Sequence, residues 1–130
     1  MIKNKTMTDK KINVLLVDDY KIVRETLAAY LGTFADIEVV GEASNGAKAL
    51  GMCYTVSPDV VVMDMIMPWM DGVAATHAIT KEHPKIMVIA LSQYNDMIEE
   101  ALDAGASKGL LKGGSITALI EAIRESRENN

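Results

Sequence analysis

Apolar residues in this chain fall into short continuous runs separated by longer stretches in which they recur every three or four positions. The run INVLLV (12–17) reads as a strand covered on both faces. After it, Val23, Leu27, Tyr30, Leu31 and Phe34 share helical spacing and predict one buried helix face. IEVVGEAS (37–44) predicts a second strand, and Asn45-Gly46 a turn into a helix that carries Ala47 and Leu50 inward and is closed by Pro58. DVVVMD (59–64) predicts a third strand, and MIMPWMDG (65–72) a loop punctuated by Pro68 and Gly72. A third helix is expected from about Val73 to just before His83-Pro84, and KIMVIALS (85–92) is the fourth strand. Asp96 with Glu99 resembles a capping box, and Gly105 stands where a left-handed C-terminal cap belongs, so residues 96–104 are expected to be helical. Residues 107–112 supply a fifth strand, and Ser115 caps a last helix whose inner face is Ile116, Leu119, Ile120 and Ile123.

Five strand-helix pairs imply a parallel sheet with helices on both faces, because each parallel connection needs a right-handed crossover. The expected class is doubly wound α/β. A length of 130 residues gives one core and one domain, placed at 11–127, with residues 1–10 as a flexible N-terminal tail because they lack apolar periodicity. In such sheets the site lies beyond the carboxyl ends of the strands, where strand order reverses.

Composition narrows the partners. With 49% hydrophobic and 24% charged residues the chain has enough apolar material for a core. A net charge of -5 with scattered Lys and Arg argues against direct nucleic-acid binding, so any DNA contact would need another domain. The polar start MIKNKTMTDKK carries neither a secretory signal nor a membrane span, and a cytoplasmic location is expected. The single cysteine, Cys53, is read as a small side chain on a helix, and His77 and His83 as surface residues.

The polar residues at the strand ends carry the chemistry. Asp18 and Asp19 follow the first run, Asp64 the third, Ser92 the fourth and Lys112 the fifth. Carboxylates converging at one edge repel one another, and a divalent cation resolves this. Magnesium takes oxygen ligands and keeps waters, so it suits one or two carboxylates with a phosphoryl oxygen, whereas the soft ligands zinc prefers lack suitable spacing here. An Asp beside such a metal can attack phosphorus while a lysine neutralises the transferring oxygens. A serine hydroxyl there can bond a phosphoryl oxygen and so report its presence.

Asp18-Asp19, the stretch VVVMDMIMPWMDG around Asp64, ALS ending in Ser92 and LLK ending in Lys112 together resemble the signature set of response-regulator receiver domains. The resemblance covers about residues 11–127, and its wording around ALSQYND and GASKGLLK is closest to receivers that precede helix-turn-helix output domains. It implies a flavodoxin-like five-stranded sheet of order 2-1-3-4-5. It further implies Asp64 as phosphoacceptor, Asp19 as a direct Mg2+ ligand, Asp18 acting through metal-bound water, the Ile66 carbonyl completing the protein ligands, and Ser92 and Lys112 on phosphoryl oxygens. The implied function is a phosphorylation-dependent signalling switch of a two-component system, not a metabolic enzyme. Its partners would be a sensor histidine kinase or phosphotransfer protein, with small acyl phosphates as alternative donors, and homodimerisation on phosphorylation is a further expectation. Because the last helix ends just before Asn130, the expectation is either a stand-alone receiver or a fragment ahead of a DNA-binding output domain.

Three competing readings are less well supported. An aspartate-nucleophile phosphohydrolase needs a second Asp two residues after the first, where Ile66 stands. A flavin or nucleotide carrier needs a glycine-rich phosphate loop after the first strand, and none follows it. A degenerate receiver serving only as an interaction module would not need all five polar positions.

The chain departs from the family at Gly109, where such receivers carry Tyr or Phe, and at Gly113, where proline often follows the lysine. Ser92, Tyr94 and Gly109 are therefore the switch candidates, with Tyr94 as the aromatic that could couple the site to the surface of the fourth helix and fifth strand. Met63 is expected in the core. For Met65, Met67, Trp69 and Met70, gap-filling beside the site is preferred over a partner contact. In the family, the positions two after the phosphoacceptor and two after the hydroxyl residue flank the hydrolytic water, and here they are Ile66 and Tyr94, which lack a carboxylate or amide to orient it. Slow autodephosphorylation is expected, with Ile66→Asn accelerating it in a phosphate-release assay; an unchanged rate would refute the assignment.

Overall fold

The computed structural model describes residues 10–67 and 70–129. Ten elements alternate: β1 (Ile12–Val17), α1 (Lys21–Leu31), β2 (Ile37–Ala43), α2 (Gly46–Val56), β3 (Val60–Asp64), α3 (Gly72–Glu82), β4 (Met87–Ser92), α4 (Asn95–Asp103), β5 (Lys108–Leu111) and α5 (Ile116–Asn129). The strands form one parallel sheet of order β2-β1-β3-β4-β5, as expected. The expected N-terminal tail lies, apart from Lys10, outside the described residues, as do the readings of Pro68 and Trp69. Among the described residues no helix is long and apolar enough to cross a membrane.

Strand side chains alternate between two faces, and the sheet has a core on each. Leu15, Val17, Val61 and Met63 face α2, α3 and α4, where Ala49, Cys53, Ala75, Ile79 and Ala101 meet them. Val14, Leu16, Val60 and Val62 face α1 and α5, where Leu31, Leu119, Ile120 and Ile123 close the second core. This double burial explains why β1 and β3 read as continuous apolar runs, and each fully buried aliphatic side chain contributes about 1.5–3 kcal/mol. The turn leading into the edge strand β2 is tied to α5 by a two-pronged Arg124–Asp36 pair at 2.8 and 3.0 Å, with the Arg124 guanidinium 5.4 Å from the Phe34 ring centroid.

Several helix faces differ from expectation. Helix α1 ends at Leu31, so Phe34 lies beyond it and meets the exposed Tyr30 edge-on rather than sharing a buried face with it. On α2 it is Ala49 and Cys53 that are buried, whereas Ala47 is exposed and Leu50 only partly covered. Ile116 is exposed at the start of α5; it and Tyr30 line an open groove of about 590 Å³ between α1 and α5. Among the described residues no capping box precedes α4: Tyr94 is the N-cap without a side-chain bond, and Asp96 accepts from the adjacent Met97 amide at 3.0 Å. His83 is half-buried, its ring edge-on to Tyr54 at 4.4 Å, because the turn after α3 folds back against α2. The Cys53 thiol is buried on α2, and burial pushes its pKa up to about 11, with Glu82 adding to the effect. Ser115 does cap α5, accepting from the Ala118 amide at 3.1 Å, and Gly105 adopts φ +117° just past α4.

One glycine holds the site loop closed. A Cβ on Gly72 would lie 2.4 Å from Met65 Cα and 2.5 Å from the Asp64 carbonyl oxygen, both main-chain atoms that cannot rotate away. The Gly72 amide also donates to the Met65 carbonyl at 3.1 Å, closing the loop between β3 and α3. Gly72→Ala should therefore lower stability by roughly 1–3 kcal/mol in urea unfolding, the range for forcing extra volume into a packed region. A loss below a few tenths of a kcal/mol would show that the loop can relax.

Candidate functional site

The carboxyl edge of the sheet gathers the expected polar side chains. Asp64 is the last residue of β3, Ser92 the last of β4, Asp18 and Asp19 follow β1, and Lys112 follows β5. Strand register sets their spacing: Asp64 pairs with Leu91, Ser92 with Leu111, and the Lys112 amide donates to the Ser92 carbonyl at 2.9 Å. One carboxylate oxygen from each of Asp18, Asp19 and Asp64 lies within 4.8 Å of the others. Asp18 and Asp64 are 6% exposed and Ser92 1%.

Lys112 bridges two of these carboxylates, its Nζ lying 2.8 Å from Asp18 Oδ2 and 2.8 Å from Asp64 Oδ2. Burial by itself lowers the lysine pKa, but the hydrogen bonds and charges of Asp18 and Asp64 outweigh it and hold the group above its ordinary value. The ammonium is therefore charged at neutral pH. Each remaining oxygen of the pair takes a main-chain amide: Tyr20 donates to Asp18 Oδ1 at 2.9 Å and Ile66 to Asp64 Oδ1 at 3.1 Å. Asp19 Oδ1 differs, being buried with no hydrogen-bond partner among the described residues. Three carboxylates thus face one ammonium, and one buried anionic oxygen lacks a donor, an arrangement a divalent cation with oxygen preference would complete.

Ser92 Oγ accepts from the Tyr94 amide at 3.1 Å, and among the described residues its own proton has no acceptor. Tyr94 is 53% exposed and meets Ser92 through its backbone amide. The Ile66 side chain is likewise 53% exposed beside Asp64. Met65 and Met67 are buried and Met70 packs against the same core, which bears out the gap-filling reading for these three. His77 is exposed on α3 and is not among the residues of the acidic cluster.

Sequence reasoning missed Arg24 and Ile98. Arg24, on the first turns of α1, donates through Nη1 to the Asp18 carbonyl at 2.7 Å and through Nε to Glu42 Oε1 at 3.2 Å, which pins the chain where β1 turns into the site. Neither partner is near it in any sequence pattern, and only the pairing of β1 with β2 brings Glu42 within reach. Ile98 reads as an ordinary apolar helix position, yet it lies directly over Gly109.

A doubly wound parallel sheet of this strand order with an acidic cluster and a lysine at its carboxyl edge is the arrangement expected of a receiver-type signalling domain. Residues 14–124 match the family model described as the response regulator receiver domain, and the chain belongs to that family. It is 43% identical over 115 residues to the transcriptional regulatory protein LiaR of Bacillus subtilis, covering 87% of this chain and 54% of LiaR. It is 40% identical over 120 residues to the response regulator protein VraR of Staphylococcus saprophyticus, covering 91% of this chain and 57% of VraR. The chain thus spans little more than half the length of these relatives. The crystal structure of the response regulator domain of Thermotoga maritima CheB superposes with a TM-score of 0.83 at 32% identity, covering 92% of this chain and 98% of that one. The fold and the two-component receiver class read from the sequence are both borne out.

A divalent cation drawn to this cluster would meet the bridging ammonium, which already engages Asp18 Oδ2 and Asp64 Oδ2. Lys112→Ala should therefore tighten Mg2+ binding by about fivefold or more, since one unit charge at about 4 Å contributes on the order of 1 kcal/mol even at high dielectric. Amide shifts during a magnesium chloride titration measure this, and unchanged or weaker affinity would show that the lysine does not oppose the cation.

Proposed function

We propose that this domain is a phosphorylation-operated switch in which Asp64 accepts a phosphoryl group from a phosphohistidine on a sensor kinase or phosphotransfer protein, or from a small acyl phosphate. What carries the reading is the charge imbalance at the sheet edge: three carboxylates, one ammonium, and the buried, donor-less Asp19 Oδ1. Asp18, Asp19, Asp64 and the Ile66 carbonyl would hold Mg2+. When bound, the ion offsets carboxylate repulsion and neutralises charge on the transferring phosphoryl oxygens.

The chain's own groups do the rest. An Asp64 carboxylate oxygen forms the new bond to phosphorus as the phosphorus–nitrogen bond of the donor breaks, and the departing imidazole nitrogen keeps that electron pair. The Ile66 amide on Oδ1 and the Lys112 ammonium on Oδ2 hold the carboxylate in place beforehand. The same ammonium, held charged by its two acidic neighbours, supplies positive charge beside the phosphoryl oxygens as they arrive. Ser92 contributes its uncommitted proton to one of those oxygens, which makes the phosphorylated site distinguishable from the empty one.

By analogy with LiaR, which is a transcriptional regulatory protein, the complete protein would carry a DNA-binding output domain controlled by this switch, and homodimerisation on phosphorylation would fit the same role. The net charge of -5 leaves DNA contact to that other domain. The reading places the domain in the cytoplasm with its kinase.

Acetyl phosphate with Mg2+ should give an acid-labile mass gain of one phosphoryl group in intact-mass spectrometry. It should be lost without the metal and in Asp64→Asn. Equal labelling of Asp64→Asn would overturn the phosphoacceptor assignment, and no labelling of the parent under any metal condition would favour a degenerate receiver acting only as an interaction module.

A further inference from the structure

Asp18 is held from several sides. Its amide donates to the Ala43 carbonyl of β2 at 3.1 Å, its carbonyl accepts from Arg24 Nη1 at 2.7 Å, and its carboxylate oxygens take the Tyr20 amide at 2.9 Å and the Lys112 ammonium at 2.8 Å. Asp19 is different, because its Oδ1 is buried with no hydrogen-bond partner among the described residues. Where that oxygen points is therefore decided by the main chain that carries it. The peptide unit entering Asp19 is the one whose carbonyl Arg24 grips.

The grip is itself anchored. Arg24 stands on the first turn of α1, its amide donating to the Tyr20 carbonyl at 3.1 Å, and its Nε donates to Glu42 Oε1 of β2 at 3.2 Å. Glu42 comes within reach through a register slip: Val14 pairs with Val39 but Leu15 with Gly41, so Glu42 lies opposite Leu16, on the face that α1 covers. The Arg24 side chain is only 14% exposed, and a planar guanidinium bonded through two of its nitrogens has a fixed orientation. Arg24 and Glu42 also balance each other's charge. The pair is a strut between the Asp18 carbonyl and the edge strand more than a counterion for the acidic cluster.

We propose that Arg24 is a positioning residue that sets the preference of the acidic edge for Mg2+ over Ca2+, by clamping the Asp18–Asp19 peptide to β2 so that Asp19 presents its carboxylate from a fixed backbone. This rests on the metal-binding role given to Asp18, Asp19 and Asp64 above. Mg2+ is small and demands near-ideal octahedral geometry, whereas Ca2+ accepts longer and looser sets of oxygens. A cage with fixed walls therefore favours the smaller ion, and one free to spread favours the larger. Without the fork of Arg24 the peptide can turn, and repulsion from Asp18 and Asp64 drives the Asp19 carboxylate outward. Charge alone predicts the opposite for Mg2+, since removing a cation beside carboxylates tightens the binding of another cation. The sign of the effect separates positioning from electrostatics.

Titrations of the whole chain with magnesium chloride and with calcium chloride, followed by amide shifts, test the strut, with urea unfolding measured on the same proteins. In Arg24→Ala the Mg2+ affinity should fall by about tenfold, the lower end for removing a group that orients a metal ligand, and the Ca2+ affinity should fall clearly less. Arg24→Lys keeps the charge without the planar fork and should lose its Mg2+ preference in the same direction. Glu42→Ala leaves Arg24 in place and cuts only its outer anchor; it should also lower the ratio of Mg2+ to Ca2+ affinity, and it serves if Arg24→Ala loosens the whole fold. Arg124→Ala, which removes the ion pair with Asp36 at the other end of β2, should leave that ratio as in the parent whatever its effect on the urea midpoint. Mg2+ affinity unchanged or tighter in Arg24→Ala overturns the strut, as does an equal loss for both ions or an equal drop of the ratio in Arg124→Ala. Absence of Mg2+ binding by the parent overturns the metal-binding reading itself, and the inference with it.

Discussion

Parallel pairing of β1 with β3 and of β3 with β4 sends every connection back across a face of the sheet, so all strands end on the same edge. That constraint brings residues as far apart in sequence as Asp18 and Lys112 into one hydrogen bond of 2.8 Å. It also concentrates like charge. Asp18, Asp19 and Asp64 meet because their strands are neighbours, and their repulsion is offset by a lysine arriving from a strand that pairs with neither β1 nor β3. The ammonium is the internal counterion of this acidic edge.

The sheet can carry this charged edge because it is buried on both faces below it. Alternate residues of β1 and β3 fill two separate cores, one closed by α2, α3 and α4 and the other by α1 and α5. Carboxylates mounted on such strands have little freedom to drift apart, so their mutual repulsion is not relieved by relaxation of the backbone. Arg24 and Gly72 belong to the same logic. The first ties the Asp18 carbonyl to α1, and the second lets the loop after Asp64 fold tightly against Met65.

Among the described residues helix α4 lacks the expected capping box, yet it is firmly seated: Ala101 is buried in the core that α2 and α3 also close, Met97 packs against that core, and Ile98 covers Gly109 of β5. Its entry meets the site through the Tyr94 amide, which donates to Ser92 Oγ at 3.1 Å.

The parallel sheet and the five polar positions at its edge were legible in the sequence, because continuous apolar runs, a helical period in the connections and polar residues at the run ends are local signals, whereas the strand order came from the family resemblance. The methionines beside Asp64 could be assigned to gap-filling for the same reason. What needed the tertiary structure is relational. Which turn of α1 ends the helix, whether Ala47 or Ala49 faces in, and whether Asp96 caps α4 depend on rotations of tens of degrees that packing against the sheet decides. The partners of Arg24 and the lone Asp19 oxygen depend on strand register. Gly109 is the clearest case: by itself it is only a missing side chain, and it becomes a seat for Ile98 because α4 crosses β5 there. Composition and periodicity are properties of the chain, whereas an empty volume has meaning only once a second element is there to fill it.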